Sequence, residues 1–169
     1  MDFILSTPRL RLHPFLPHED ALFWEINTEP SVREYLWDGE EIPRSLAREI
    51  MEKNAHHLKH DKWGLWIILD KREERLLGYT GLWPFFDPNQ PELLYALLPE
   101  ATGQGYATEA ARAVISYAFE KLGFSYVAAS MDSPHQASRS VCLRLGMDDI
   151  GEKIMDGKPT TFFRLDAPA

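Results

Sequence analysis

Cysteine is almost absent from this sequence. Cys142 is the single one among 169 residues, so neither an internal disulfide nor a zinc site built on several cysteines can form. A chain without disulfides suits a reducing compartment, and we expect a cytoplasmic location. The histidines form no ligand set either, because His56, His57 and His60 share one charged helix end and the others stand alone. We therefore expect no bound metal.

Positive charge and long apolar runs are also scarce. Eighteen lysines and arginines face 26 acids, and a net charge of −8 does not fit the basic surface of a nucleic-acid binder. The apolar runs fall far short of the roughly 20 residues that cross a bilayer. The opening MDFILSTPRLRLHPF has an acid at position 2 and no apolar centre, so we expect no signal peptide and no membrane contact. A hydrophobic fraction of 44% over this length predicts one domain with a single core.

The apolar pattern predicts a mixed α/β (α+β) domain with about seven strands and four or five helices. Three strand-like runs, joined by a charged turn at 70–74 and a Pro- and Asn-rich loop at 84–90, predict an antiparallel meander. Apolar residues from Ala107 to Leu122 then recur at helical spacing, the strongest helix signal in the chain. The predicted strands are 9–15, 63–69, 75–83, 92–98, 124–131 and two after 147, and the predicted helices begin near 17, 30, 43, 107 and 134.

The stretch TGQGYATEAARA at 102–113 places Gly103 and Gly105 just before that helix. A P-loop is excluded, because the chain contains no Gly-Lys-Ser/Thr. A Rossmann fingerprint lacks its third glycine, since Thr108 stands there, and it would follow a meander rather than a βαβ unit. Two interpretations stay open. The stretch is either a pyrophosphate site made of backbone N–H groups at a helix start, or a plain loop that enters a helix.

Motifs on both sides of the glycines resemble those of one family in the same order along the chain. They are STPRLRLHPF (6–15), LGYTGL (77–82), PELLYALLPE (91–100), GQGYATEA (103–110) and SPHQASRSVCLRLGM (133–147). Together they resemble the GNAT N-acetyltransferase superfamily, and within it the branch of ribosomal-protein alanine N-acetyltransferases. The family's coenzyme A loop reads Q/R-x-x-G-x-G/A. This chain departs from it at Thr102, which stands in the Gln/Arg position.

The resemblance implies a strongly curved mixed sheet with helices on both faces. It also implies that acetyl-CoA binds between the splayed strands 92–98 and 124–131. Backbone groups of Leu97 and Leu98 would contact the pantetheine arm, and His135 stands where the family has an Asn that bonds this arm. The family transfers acetyl directly from the thioester to an amine, without a metal. The loop residues implied to surround the pyrophosphate are Thr102, Gly103, Gln104, Gly105, Tyr106, Ala107 and Thr108.

Two residues are candidates for the proton transfers. Glu92 matches the acid at the start of the family's fourth strand, and it either accepts the amine proton or only orients the amine while water accepts it. The usual Tyr acid of the last helix is replaced by Cys142. Ser138 matches a serine of the branch and is the candidate donor to the leaving sulfur, although a helix serine can also bond its own backbone. We expect Cys142 to be a core residue and not a nucleophile.

The acceptor is expected to be a primary amine, which a peptide N-terminus, a polyamine or a small amine could provide. Between Glu19 and Glu41 the sequence has eight acids and one base, which form either a solvated helical face or an acidic rim that attracts a cation. Aromatic residues beside this run would line the acceptor pocket. Those residues are Trp24, Tyr35, Trp37, Trp83 and Phe85, of which Trp24 equally suits the core. A non-catalytic acyl-CoA sensor and a Rossmann NAD(P) oxidoreductase remain alternatives, and the chain is expected to be a monomer or homodimer.

Overall fold

The computed structural model describes residues 3–169, which form an eight-stranded mixed sheet with five α-helices. A short 3-10 turn covers Pro99–Ala101. In chain order the elements are β1 (Leu5–Ser6), β2 (Leu10–Pro14), α1 (Asp20–Thr28), α2 (Pro30–Leu36), α3 (Arg44–His60), β3 (Leu65–Asp70), β4 (Leu76–Asp87), β5 (Gln90–Leu97), α4 (Tyr106–Glu120), β6 (Tyr126–Asp132), α5 (Gln136–Arg144), β7 (Asp148–Met155) and β8 (Lys158–Asp166).

The predicted mixed sheet and the meander are confirmed. Strands β2 to β5 pair in sequence and antiparallel, and the sheet order is β1-β2-β3-β4-β5-β6-β8-β7. The eighth strand is the two-residue β1, too short to leave an alternating pattern in the sequence. The predicted loop at 84–90 is wrong in extent, because β4 continues to Asp87 and the turn is confined to the residues before Gln90. Pro84 fits within β4 because the ladder to β5 is irregular between Trp83 and Asp87.

The helices cover both faces of the sheet, as the resemblance implies. Alternation along β5 sends Leu94 and Ala96 into a core with α1, α2 and α3, which we call the α3 face. Leu93 points the other way, into a core with α4 and α5, which we call the α4 face. Helix α4 presents Ala110 and Ala111, both buried, to this second core. Such small side chains let a helix lie close to a sheet.

The sheet opens between two of its inner strands, β5 and β6. Strands β5 and β6 run parallel and pair only through Glu92 and Ala128, whereas β6 continues to pair with β8 over its whole length. Beyond Glu92 the two strands diverge and leave backbone groups of β5 without a strand partner on that side. A cleft therefore lies in the middle of the sheet, beside the glycine loop. Within residues 3–169 no helix has the length and apolarity needed to cross a membrane.

Candidate active site

A cleft of about 1200 Å³ follows the opening between β5 and β6. It runs from the glycine loop, past the start of α5, to α2 and the β4–β5 hairpin. The structure brings together most of the residues predicted for the site, although they come from five separate segments. The predicted residues that line the cleft are Tyr35, Phe85, Leu97, Thr102, Gly103, Gly105, Tyr106, Ala107, Thr108, His135 and Ser138.

The glycine loop has the conformation of an anion cradle. Gly103 and Gly105 have φ angles of 76° and 82°, in the left-handed region that side chains with a Cβ rarely adopt. Gly105 is the N-cap of α4 and supplies no side-chain cap, so the first amides of this helix keep their hydrogen-bonding capacity. The positive end of the helix dipole adds to the attraction for an anion. A phosphate group fits such a helix start.

Two polar side chains of the loop point away from the cradle. Thr102 donates its hydroxyl proton to the carbonyl of Pro99 over 2.8 Å, and Gln104 donates its amide to the carbonyl of Glu100 over 3.2 Å. Gln104 does not line the cleft. The charged group nearest the cradle from α5 is Arg144, whose Nε lies 3.3 Å from Oγ1 of Thr108. Arg144 was not predicted, because its contact with Thr108 depends on the packing of α5 beside α4.

The strand end beside the loop offers one of the two predicted backbone contacts. Leu98 donates its N–H to Leu77 over 2.8 Å, and its carbonyl accepts the N–H of Ala101 over 2.9 Å. Both backbone groups of Leu98 thus have partners within the protein, so they are less available than those of Leu97, and the predicted contact of Leu98 stays a prediction. Leu97 lies opposite Gly78, and the alternation of an antiparallel ladder turns its N–H and carbonyl away from β4 and toward the cleft.

Glu92 lies at the point where β5 and β6 separate. Its side chain is buried on the α3 face and accepts a hydrogen bond from the hydroxyl of Ser130 on β6. Burial raises the pKa of Glu92 above its ordinary value, and the hydrogen bond from Ser130 opposes part of that rise. Glu92 does not line the cleft itself, but Ser130 does. Ser130 was missed in the sequence because its contact depends on the pairing of two distant strands.

A second polar cluster lies on the α4 face. The hydroxyl of Tyr95 is 2.9 Å from the carbonyl oxygen of Ser138, 3.0 Å from its Oγ and 3.3 Å from Sγ of Cys142. Tyr95 and Ser138 line the cleft, whereas Cys142 is fully buried behind them. Burial raises the pKa of the Tyr95 phenol and of the Cys142 thiol, so both stay protonated near neutral pH. A buried neutral thiol is a poor nucleophile, as expected for Cys142.

His135 forms a contact across the cleft. Its ring stacks on that of Tyr35 from α2, with centroids 3.9 Å apart and planes 6° apart. Burial lowers the pKa of His135, and the nearby carboxylates of Asp132 and Glu34 raise it in part. The ring is therefore mostly neutral at pH 7. This stack connects the start of α5 with the helix expected on the acceptor side.

The predicted aromatic wall is only partly present. Trp24 donates its indole N–H to the carbonyl of Ile42 and Trp37 donates to Oδ1 of Asn27, each over 2.8 Å. Both pack against the core of the α3 face and neither lines the cleft. Trp83 packs there too, beside the ring of His57. Of the five predicted aromatics only Tyr35 and Phe85 line the cleft, whereas the three tryptophans pack against the core of the α3 face.

The acidic run divides into neutralised and available carboxylates. Asp20 lies within 4 Å of Arg44 and Arg48, at 3.8 and 3.9 Å, and most of its charge is offset there. Glu34 lines the cleft and takes part in no ion pair within residues 3–169. Across the cleft, Lys158 bridges Asp38 and Asp132. Over the same described range no group of three metal-binding side chains comes together.

Comparisons with known proteins agree on one family. The model of the acetyltransferase (GNAT) domain matches residues 9–148. The uncharacterized protein YkkB of Bacillus subtilis is 35% identical over 146 residues, which is 85% of this chain and 84% of that protein.

Solved structures show the same fold. A GNAT-family acetyltransferase of Bordetella pertussis superposes with a TM-score of 0.81 at 20% identity, over 95% of this chain and 98% of its own. RimL, a ribosomal L7/L12 α-N-protein acetyltransferase solved in complex with coenzyme A, superposes with a TM-score of 0.79 at 13% identity, over 96% of this chain and 97% of its own.

Proposed function

Since this chain belongs to the acetyltransferase (GNAT) family, we propose that it transfers the acetyl group of acetyl-CoA directly to a primary amine of a cationic acceptor. One observation carries the proposal. The cleft between β5 and β6 joins an uncapped, glycine-shaped helix start at one end to carboxylates at the other. An anionic donor and a cationic acceptor would thus meet at the middle of the sheet. We expect this chemistry in the cytoplasm, where acetyl-CoA is made and used.

The donor would lie along the open edge of β5. The backbone groups of Leu97 that face the cleft can bond the amides of a pantetheine arm, as a partner strand would. The amides from Gly103 to Thr108 would hold the pyrophosphate, with Arg144 as a nearby cation. The neutral His135 has a ring N–H that can replace the amide donor of an Asn. RimL, which has this fold and binds coenzyme A, supports the assignment.

Three tasks would complete the reaction. Glu92 removes a proton from the ammonium, through Ser130 or a water, because Ser130 stands between this carboxylate and the cleft. A backbone N–H of β5 stabilises the charge that develops on the thioester oxygen. The amine nitrogen then forms the C–N bond and the C–S bond breaks. Ser138 donates its O–H to the departing sulfur, which takes its proton from water after release.

The acceptor would enter between α2 and the β4–β5 hairpin. Tyr35 and Phe85 provide apolar and π surfaces at this entrance. Glu34 and Asp156 add negative charge, whereas Asp132 is paired with Lys158. A cation is attracted to both features. A protein N-terminus is one such acceptor, and RimL modifies an α-amino group. Small amines and polyamines have the same chemistry, and the acidic entrance favours acceptors with a second positive charge.

Ligand-dependent thermal unfolding tests the donor assignment. Acetyl-CoA at a hundredfold excess over its Kd should stabilise the protein by about 2.7 kcal/mol, and NAD⁺ and NADP⁺ should leave the melting temperature unchanged. Stabilisation by a dinucleotide and not by acetyl-CoA would contradict the proposal and favour an oxidoreductase. Binding of acetyl-CoA without any transfer to an amine panel would indicate a sensor instead of an enzyme.

A further inference from the structure

We propose that Arg9, which directly precedes β2, is a positioning residue for the coenzyme A loop, nearly a hundred residues further along the chain. The inference rests on the proposed function, because the loop matters only if it holds a pyrophosphate. From the outer side of the loop, Arg9 would fix the loop backbone in its open cradle.

Arg9 contacts the loop at three consecutive residues. Its Nη1 donates to the carbonyl oxygen of Gln104 over 3.0 Å, and its guanidinium carbon lies 4.4 Å from the centroid of the Tyr106 ring. Between these two residues, a Cβ built on Gly105 would lie 3.4 Å from Nη2 of Arg9. The guanidinium therefore packs along the outer side of the loop where its backbone changes to the left-handed conformation.

Glu109 orients the guanidinium. Its Oε1 accepts the Nε–H of Arg9 over 2.8 Å, and its Oε2 accepts the backbone N–H of Arg9 over 3.0 Å and the hydroxyl of Thr7 over 2.5 Å. Partial burial alone would raise the pKa of Glu109. The hydrogen bonds from Thr7 and Arg9, with the charge of Arg9, outweigh burial and lower it. The carboxylate thus stays ionised and holds the first strand segment and the first turn of α4 together.

The loop needs such a support from outside. Residues 102–108 include no charged side chain, and the side chains of Thr102 and Gln104 bond the preceding 3-10 turn. Most of the loop is exposed, and two of its residues have positive φ. A loop with this much freedom would lose entropy when it orders around a ligand. Because Arg9 fixes it beforehand, less binding free energy is lost to ordering.

Two acetyl donors of different length separate this role from a general effect on the fold. Acetyl-CoA carries the pyrophosphate, whereas S-acetylpantetheine has the same thioester and arm but no pyrophosphate. Affinity for both is measured for the wild type, Arg9→Ala and Glu109→Gln by calorimetry, and turnover is measured at saturating donor. Arg11→Ala is the matched control, since Arg11 lies two residues further on, in β2, and pairs with Glu74 away from the loop.

The proposal expects a donor-specific loss. Arg9→Ala should raise the Kd for acetyl-CoA about tenfold or more, which corresponds to about 1.4 kcal/mol, and leave that for S-acetylpantetheine within about twofold. Glu109→Gln should also raise the Kd for acetyl-CoA, by a smaller factor. Arg11→Ala should bind both donors with the affinity of the wild type.

Equal losses for both donors, or no loss for acetyl-CoA, would overturn the role of Arg9 while leaving the proposed function intact. A wild-type protein that binds neither donor would overturn both. The Arg9 side chain is 46% exposed, so its removal should leave the core intact. A melting curve of each variant shows whether the fold is kept.

Discussion

The phenol oxygen of Tyr95 lies 3.0 Å from Oγ of Ser138 and 2.9 Å from the carbonyl oxygen of the same residue. A phenol has one proton, so it can donate to only one of these two oxygens at a time. When the phenol donates to Oγ, the hydroxyl proton of Ser138 cannot point to Tyr95 and is free to point into the cleft. When it donates to the carbonyl, Ser138 bonds Tyr95 instead. In the proposed mechanism, Tyr95 would thus control whether Ser138 can donate to the departing sulfur.

We expect Tyr95→Phe to lower kcat about tenfold, with the KM for acetyl-CoA changed by less than about twofold, because one hydrogen bond of about 1 to 1.5 kcal/mol is lost. Steady-state kinetics of both parameters make the test. Cys142→Ala is the control, since it removes the third neighbour of the phenol without touching the cleft. A wild-type kcat in Tyr95→Phe would mean that the cluster is only structural.

Ser138→Ala should lower kcat further, about a hundredfold, and again leave acetyl-CoA affinity nearly unchanged. If Tyr95 acts through Ser138, the double variant Tyr95→Phe/Ser138→Ala should be no slower than Ser138→Ala alone. Additive losses in this cycle would show that the two hydroxyls act independently. Unchanged turnover in Ser138→Ala would remove Ser138 from the mechanism.

The pH dependence of kcat/KM tests Glu92. Burial raises its pKa, so the ionised base should disappear as the pH falls through that raised value, and activity should fall with it. Ser130→Ala removes the hydrogen bond that lowers this pKa, so the acidic limb should move to higher pH. Glu92→Gln should lose the limb and roughly a hundredfold or more of the rate. An acidic limb that stays in place in Ser130→Ala would assign it to another group.

The raised pKa of Glu92 also predicts how the free energy of unfolding depends on pH. The sign of this dependence is opposite to that for a surface acid in an ion pair. The pKa of Glu92 is higher in the folded protein than in the unfolded chain. At a pH between these two pKa values the unfolded chain binds fewer protons, so the stability of the fold falls as the pH rises through that window. Glu92→Gln cannot ionise and should not show this decline. Urea unfolding at several pH values above the ordinary carboxyl pKa makes the comparison. A wild-type curve parallel to that of the variant would contradict the buried, destabilised carboxylate.

Substitution of a glycine in the loop should weaken acetyl-CoA binding, which would not be expected if the loop held no ligand. Gly105→Val should weaken acetyl-CoA binding strongly, because its φ of 82° suits glycine and because the new side chain would meet the Arg9 guanidinium. Gly103→Val has the same backbone strain, but its new side chain would meet no atom within 4 Å, so it should weaken acetyl-CoA binding less. Calorimetry with acetyl-CoA compares them, and wild-type affinity in Gly105→Val would show that the pyrophosphate binds elsewhere.

The acidic entrance should select among acceptors. Glu34→Gln removes a cleft carboxylate that has no ion-pair partner among residues 3–169, so it should raise the KM for a diamine severalfold and that for a monoamine by less. The difference should shrink at high salt, where exposed charges are screened. Glu25→Gln, on the exposed side of α1, is the control. Equal effects on both amines would argue against charge selection.

Most of the fold could be predicted because its signals are local. The helical spacing after Gly105 and the short polar turns of the meander depend on neighbouring residues, and both were found where expected. The short β1 and the extension of β4 past Pro84 depend on pairing with another strand, and they were missed. The two glycines before α4 have the left-handed backbone that such a loop needs, and the pyrophosphate contact itself stays a prediction.

The remaining parts of the candidate site depend on distant contacts. The bond between Ser130 and Glu92 exists because β6 lies beside β5 in one register, and no spacing within either strand reveals it. The same holds for Arg9 and Glu109. Trp24 and Trp37 were predicted at the acceptor pocket because they lie among acids, but their indoles pack inward and find hydrogen-bond partners.

The most direct test of the central claim is acetyl transfer from acetyl-CoA to a panel of peptides, polyamines and small amines. Free thiol release and acetylated product are followed together. We predict that both appear in equal amounts, only in the presence of a primary amine, and fastest with acceptors that carry a second positive charge. Acetyl-CoA binding with no product from any amine, or thiol release without acetylated amine, would contradict an N-acetyltransferase.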